Sequence, residues 1–190
     1  MRFAKRERRI AEENLDVVFG DEKTPAEKAA ILRDSFRTMS LTMLDIFWFS
    51  RDTGARLERY AKYDAAFDAS LDQHPTLFVT AHFGNWEAMG LSVAHKGHPI
   101  SSVAKPLNSR WVNDRFIGWR SETGQHIIPV SGAMRGLMTA FKNNHHVAIL
   151  LDQNTLADQG GVMVDFFDRS VPVAAAAAQL AIRFDTTNKT

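Results

Sequence analysis

Residues 1–70 carry apolar positions at helical spacing among charged side chains. The pattern predicts one helix over residues 8–19, with Gly20 as its C-terminal cap. Thr24-Pro25-Ala26-Glu27 then forms a capping box with proline at the first helical position, which predicts a second helix from there to about residue 50. The chain therefore begins with a helical segment.

The second half of this second helix, residues 39–49, is apolar on all sides. A helix of this kind is either buried in a core or faces an acyl chain or a membrane surface. The apolar pattern alone leaves both interpretations open.

After residue 75, short apolar runs alternate with helical stretches, and the connections are short. This alternation predicts an α/β fold, in which the N-terminal helical segment is followed by a mainly parallel sheet flanked by helices. Residues 1–72 and 73–190 are expected to form one domain together. Strands are predicted at 76–81, 99–105, 126–130, 146–152 and 162–166, and helices at 86–95, 109–122, 132–143 and 173–184.

The composition is that of a folded globular protein, with 45% hydrophobic and 24% charged residues over 190 positions. The net charge of +1 gives no strong overall field for nucleic acid. The absence of cysteine excludes disulfides and thiolate metal sites, and is typical of a reducing compartment. No segment reaches the roughly 20 apolar residues of a membrane-spanning helix.

The strongest candidate for chemistry is His82, which directly follows the first predicted strand, with Glu87 five residues later. Such a turn places an imidazole near a carboxylate, as a general base and its orienting partner require. Gly84 permits the tight turn between them. The alternative is a histidine that packs at a turn beside an ordinary helix-start glutamate.

A metal site is not expected. His145 and His146 could be combined with Asp152, but adjacent residues of a strand face opposite sides of the sheet, so neighbouring histidines rarely bind one ion. A metal-dependent hydrolase is therefore disfavoured.

Several motifs in this order resemble the lipid A biosynthesis acyltransferases, the lauroyl and myristoyl transferases of the glycerolipid acyltransferase-like superfamily. The resemblance begins near residue 8 and centres on the sequence His-Phe-Gly-Asn-Trp-Glu. The motifs are residues 82–87, Lys105-Pro106-Leu107-Asn108, Arg120, Gly132-Ala133-Met134-Arg135-Gly136, Asp152-Gln153-Asn154 and Val164-Asp165-Phe166-Phe167.

The resemblance implies transfer of a fatty acyl group from acyl carrier protein or coenzyme A to a hydroxyl of a glycolipid, with a lipid A precursor as the first candidate. It implies His82 and Glu87 as the catalytic pair, no metal or redox cofactor, and a place at the cytoplasmic face of the bacterial inner membrane. The last predicted helix is followed by no further strand, and the family's N-terminal anchor is not found in these residues. We therefore expect a fragment that lacks this anchor and the family's C-terminal part.

His82 directly follows the first predicted strand, while Lys105 and Asp152 end the second and the fourth, so all three are expected at one edge of the parallel sheet, where ligands bind. This edge and the resemblance together suggest a set of substrate-binding residues. Lys105, Arg120 and Arg135 could hold phosphates, although each could equally be ordinary solvated charge. Lys105 and Ser131 depart from the family, which often has arginine and a basic residue at these positions. The expected binding residues are Asn85, Lys105, Asn108, Arg120, Arg135, Asp152, Gln153, Phe166 and Phe167, the last two lining an acyl slot.

Other acceptors fit the same chemistry, namely a lysophospholipid or a mannosylated phosphoinositide. A hypothesis of another class is a non-catalytic, truncated form that only binds lipid. Turnover separates these hypotheses, since the binding form associates with lipid without transferring an acyl group.

Overall fold

The computed structural model describes residues 5–72, 75–107 and 109–184. The chain divides into two compact units, Met1–Leu44 and Asp45–Thr190. The expected arrangement of residues 1–72 and 73–190 as one domain stays a prediction.

The first unit contains helix α1, Lys5–Phe19, and most of helix α2, Pro25–Phe49. The capping box is confirmed. Both the backbone N–H and the hydroxyl of Thr24 donate to Glu27 Oε2 at 2.8 Å, and the Glu27 N–H donates to Thr24 Oγ1 at 3.3 Å. These bonds satisfy amide groups that a helix start leaves without intrahelical partners.

The second half of α2 has a buried face and an exposed apolar face. Ile46 and Phe49 are buried, while Leu44, Phe47 and Trp48 are exposed by 48–61%. Within the described residues, no helix is both long and apolar enough to cross a membrane.

The second unit alternates strands and helices as the sequence predicts. Four strands form a parallel sheet in the order β1-β4-β2-β3. The elements after α2 are α3 (Thr53–Tyr60), α4 (Ala65–Asp72), β1 (Leu77–Thr80), α5 (Trp86–His95), β2 (Ile100–Ala104), α6 (Arg110–Glu122), β3 (Gln125–Pro129), α7 (Ala133–Lys142), β4 (His146–Leu150), a 3-10 turn (Ala157–Gln159), β5 (Gly161–Phe166), β6 (Arg169–Ala174) and α8 (Ala176–Phe184).

The sheet is packed on both faces, which confirms a parallel sheet flanked by helices. Val147 and Ile149 of β4 pack with α7 and α8, whereas Ala148 packs with α4 and α5. Successive strand residues point to opposite faces, so one strand contributes to both core clusters. The continuous apolar sequence of β4 follows from this burial on both sides.

The end of the chain differs from the prediction in two ways. The fifth strand, β5, pairs antiparallel with β6 in a separate two-stranded sheet and does not extend the parallel sheet. The last helix begins at Ala176, three residues later than predicted, because residues up to Ala174 belong to β6. Phe167 and Asp168 make the tight turn, with φ of 51° and 55°, as two-residue hairpin turns require.

Candidate active site

The order of the strands brings His82 and Asp152 together. Strands β1 and β4 are neighbours, and Thr80 is paired with Leu150 at their carboxyl ends. His82 and Asp152 each lie two residues beyond this pair, so the segments that follow β1 and β4 leave the sheet side by side. Ligand-binding and catalytic groups of parallel α/β sheets collect at this edge.

Two hydrogen bonds join His82 to the Asp152 carboxylate. The ring Nδ1 of His82 lies 2.9 Å from Oδ1, and the backbone N–H of His82 donates to Oδ2 at 2.8 Å. Both carboxylate oxygens are therefore used, which fixes the ring and its backbone in one orientation. The His82 side chain keeps 26% of its surface exposed, so the ring is accessible.

The hydrogen bonds also determine the charge on Asp152. Burial acts to raise the pKa of Asp152, but the ring and backbone hydrogen bonds from His82 outweigh it, and the pKa lies below its ordinary value of 3.8. An ionised Asp152 accepts hydrogen bonds only, so Nδ1 carries the proton. The lone pair of neutral His82 then lies on Nε2, the nitrogen that can accept a proton.

The expectation that Glu87 orients the His82 ring through a hydrogen bond is wrong. The hydrogen-bonded partner of the ring is Asp152. The Glu87 carboxylate is buried and is bonded twice by the guanidinium of Arg120, from Nε at 3.0 Å to Oε2 and from a terminal nitrogen to Oε1. Arg120 comes from α6, and its side chain is 17% exposed. The expected phosphate-binding cation is thus paired with a protein carboxylate.

Trp86 lies between the two pairs. Its indole N–H donates to Glu87 Oε1 at 3.2 Å, while its ring meets the His82 ring in a T-shaped contact with centroids 4.8 Å apart. Glu87 therefore supports the ring of His82 indirectly. The physical reason for the corrected pairing is that Glu87 lies in the first turn of α5, where its carboxylate faces α6.

Asn85 caps helix α5. Its Oδ1 accepts the Ala88 N–H at 2.9 Å, and its Nδ2 donates to Asp45 Oδ2 on α2 at 2.7 Å. Gly84 has a φ of 65°, in the left-handed region that favours glycine. These features set the path of the loop that carries His82.

The other predicted binding residues are spread over the same unit. Lys105 follows β2, Arg135 lies in the first turn of α7, and Gln153 follows Asp152, all with exposed side chains. Phe166 and Phe167 contact each other at the hairpin tip and are 61% and 54% exposed. Asn108 lies outside the described residues.

The histidines that suggested a metal site have other partners. Nδ1 of His145 lies 3.0 Å from Ser101 Oγ, and its ring lies 4.6 Å from that of His126. His146 is fully buried, and its Nδ1 accepts the Thr76 N–H at 3.3 Å. In the described part of the chain, no group of three or more His, Cys, Asp or Glu residues is arranged to hold a metal ion.

Asp45 was not among the residues expected at the site. A signal was available, because Asp45 is the single charged residue within residues 39–49 of the apolar half of α2. A lone carboxylate in such a stretch needs a polar partner, and Asn85 supplies one.

The profile of the family described as bacterial lipid A biosynthesis acyltransferase matches residues 1–187. The chain belongs to this family. The His82-Asp152 and Glu87-Arg120 pairs described above thus lie within the matched region of a lipid A acyltransferase family member.

Two curated mycobacterial proteins are similar to this chain. The chain is 28% identical over 123 residues to the phosphatidylinositol mannoside acyltransferase of Mycobacterium tuberculosis (strain CDC 1551 / Oshkosh), covering 63% of this chain and 37% of the relative. The protein of the same name from Mycolicibacterium smegmatis is 28% identical over 105 residues, covering 53% of this chain and 34% of that protein. The chain therefore spans little more than a third of the length of these relatives.

Proposed function

We propose that the protein transfers a fatty acyl group from an acyl thioester, carried by acyl carrier protein or coenzyme A, to a hydroxyl of a glycolipid. His82 is the general base of this proposal. The observation that supports it most is the His82-Asp152 pair, which holds an accessible imidazole with its proton on Nδ1.

The proposed step uses Nε2 of His82. This nitrogen takes the proton of the acceptor hydroxyl while the hydroxyl oxygen attacks the thioester carbonyl carbon. The resulting imidazolium is stabilised by ionised Asp152, in the same way that a triad carboxylate acts.

Collapse of the tetrahedral intermediate completes the transfer. The carbon–sulfur bond breaks, the ester to the glycolipid forms, and the sulfur leaves with the electron pair of the broken bond. His82 returns its proton to this sulfur, so the enzyme regains its starting state and the free thiol of the carrier is released. The reaction as written requires no redox or metal cofactor.

Glu87 and Arg120 hold the scaffold of the site in this proposal. Their two hydrogen bonds join the first turn of α5 to α6, and Trp86 carries this support to the His82 ring. Glu87 is therefore assigned to positioning in the proposed reaction, and Arg120 with it.

The acceptor is proposed to be a glycolipid bearing phosphate. Lys105 and Arg135 are exposed cations that follow the carboxyl ends of β2 and β3, and they are the candidates to bind phosphate. The family description favours a lipid A precursor, while the names of the mycobacterial relatives favour a phosphatidylinositol mannoside. Phe166 and Phe167 remain the proposed contacts for the acyl chain.

A membrane surface is the proposed source of the acceptor. Phe83, adjacent to His82, is 90% exposed, and Phe47 and Trp48 of α2 are about half exposed. Large apolar side chains in such positions are suited to the interfacial region of a lipid bilayer. We propose the cytoplasmic face of the bacterial inner membrane as the location, which the family resemblance implies.

The experiment is an acyl-transfer assay in detergent with a labelled thioester and two acceptors, a lipid A precursor and a phosphatidylinositol mannoside. We expect transfer to one of them, reduced by about 10²- to 10⁴-fold in His82→Ala, the range typical of a lost general base. His126→Ala, at the amino end of the sheet, is the matched control and should stay within about twofold of the wild type. Lipid binding without transfer by the wild type, or full transfer by His82→Ala, would refute the proposal.

A further inference from the structure

A carboxylate on α2 reaches the loop that carries His82. Asp45 Oδ2 accepts a hydrogen bond from Asn85 Nδ2 at 2.7 Å. Burial raises the pKa of Asp45, while the bond from Asn85 acts in the opposite direction. The half-buried Asp45 side chain is thus partly withdrawn from water and has the Asn85 amide as a hydrogen-bond donor.

This bond decides which way the Asn85 amide faces. A carboxylate accepts hydrogen bonds, so the NH₂ group of Asn85 must point to Asp45 and its oxygen to the helix. The oxygen is then placed to accept the Ala88 N–H at 2.9 Å and to cap α5. A flipped amide would set its oxygen against the Asp45 carboxylate and lose the cap.

The His82 loop is consequently attached at both ends. Asp152 binds the ring and backbone of His82 at one end, and Asp45 binds Asn85 at the other. Gly84 lies between these attachments with a φ of 65° and with no atom near the position of a Cβ. The two attachments flank Gly84, so each fixes the chain on one side of this turn.

We infer that Asp45 is a positioning residue of the acyl-transfer site, which acts through Asn85 to hold His82 in line with the acceptor hydroxyl. This inference rests on the proposed function. Asp45 itself touches neither the reacting atoms nor the His82 ring in this account, and its effect is carried by the cap of α5.

The kinetic test compares three variants of residues on α2. Asp45→Ala should lower kcat by roughly 10- to 100-fold, the cost of a small misplacement of a catalytic group, with KM within about twofold. Asp45→Asn should restore most of kcat, because its amide oxygen can accept the same bond from Asn85. Asp34→Ala, which removes an exposed carboxylate of the same helix, should leave both constants unchanged.

A second comparison shows whether Asp45 acts through Asn85. In an Asn85→Ala background, adding Asp45→Ala should lower kcat by less than about twofold, since the shared bond is already lost. An equal loss from Asp45→Ala in both backgrounds, or a wild-type kcat in Asp45→Ala, would overturn the inference. Loss of kcat in Asp45→Asn equal to that in Asp45→Ala would overturn it as well.

The third readout does not need activity. The Nδ1–H proton of His82 bonded to Asp152 should give a downfield proton resonance in the wild type, assigned by its loss in His82→Ala. Asp45→Ala should broaden or remove it, and Asp34→Ala should not.

If the wild type transfers no acyl group, the proposed function fails, whereas an unchanged resonance in Asp45→Ala overturns the role of Asp45. Should Asp45→Ala not fold, Asp45→Ser, whose side chain is too short to reach Asn85, takes its place with the same expected outcomes.

Discussion

The two ends of the parallel sheet carry histidines in contrasting surroundings. At the carboxyl end, Nδ1 of His82 is bonded to a carboxylate, that of Asp152, at 2.9 Å. At the amino end, Nδ1 of His145 meets the Ser101 hydroxyl at 3.0 Å, and its ring lies beside that of His126. The two ends of this one sheet therefore carry the same type of residue, histidine, but the hydrogen-bond partner of its ring differs between them.

The charges favoured at the two ends also differ. Burial, followed by the charge of neighbouring His126, lowers the pKa of His145, so the neutral ring is favoured. Asp152 instead has a lowered pKa because its bonds from His82 outweigh its burial, so the favoured charge at the carboxyl end is that of the carboxylate. The comparison teaches that the carboxylate partner, more than the histidine, marks the end of the sheet suited to proton transfer.

The largest effect expected from this contrast is on turnover. Asp152→Asn should lower kcat by roughly 10²- to 10⁴-fold, because the amide no longer stabilises the imidazolium and permits the wrong tautomer. Steady-state kinetics of the acyl-transfer reaction measure it.

Ser101→Ala is the matched control at the amino end, since it also removes the hydrogen-bond partner of a histidine Nδ1. Its kcat should stay within about twofold of the wild type. Equal losses in the two variants would show that the ends of the sheet do not differ as the geometry indicates.

The next effect is on stability. Glu87→Ala leaves the partly buried guanidinium of Arg120 without its carboxylate, and should lower the free energy of unfolding by about 1–3 kcal/mol. Urea denaturation measures the change.

Asp114→Ala is its control on the same helix, α6, because the Arg110-Asp114 pair is exposed, with a distance of 3.7 Å. An exposed pair of this kind contributes about 0–1 kcal/mol. If Glu87→Ala costs no more than Asp114→Ala, the support attributed to Glu87 is wrong.

The smallest effect is on the pH dependence of stability. Since the folded-state pKa of His145 lies below its ordinary value of 6.5, the unfolded chain binds more protons, and stability falls as the pH drops below about 6.5. In His145→Gln, the part of this fall in stability that comes from His145 should be absent. Thermal unfolding at several pH values measures the difference.

Asp152 has the opposite dependence and serves as the comparison. Its lowered pKa contributes stability that is present above its ordinary value of 3.8 and is lost only as the pH falls through the folded-state value. The titration of Asp152 itself therefore makes no contribution to the decline near pH 6. A decline as steep in His145→Gln as in the wild type would contradict the assignment to His145.

Much of the fold and the existence of the site could be predicted from the sequence. The alternation of strands and helices gives a parallel sheet, and polar residues directly after apolar strands fall at its carboxyl edge. On this basis His82 and Asp152 were both expected at one edge. The capping box at Thr24 likewise depends only on local chemistry, and the structure confirms it.

The pairing of His82 with Asp152 and of Glu87 with Arg120 could not be predicted, because it depends on which strands and helices become neighbours in the fold. The order β1-β4-β2-β3 places β4 beside β1 and thereby sets Asp152 against His82. Glu87 meets Arg120 because α6 packs beside the start of α5, a contact between residues 33 positions apart in the sequence. Strand β5 was predicted, but its partner β6 was missed, and the alanines after β6 carried the predicted helix back to residue 173, into the end of that strand.

The most direct test of the central claim is a double-mutant cycle on the transfer reaction with His82→Ala, Asp152→Ala and the double variant. If the two residues act as one unit, the double variant should be no slower than His82→Ala alone, since Asp152 has no function without the ring. Losses that multiply in the double variant would contradict the account, because they would show that Asp152 and His82 contribute to acyl transfer independently.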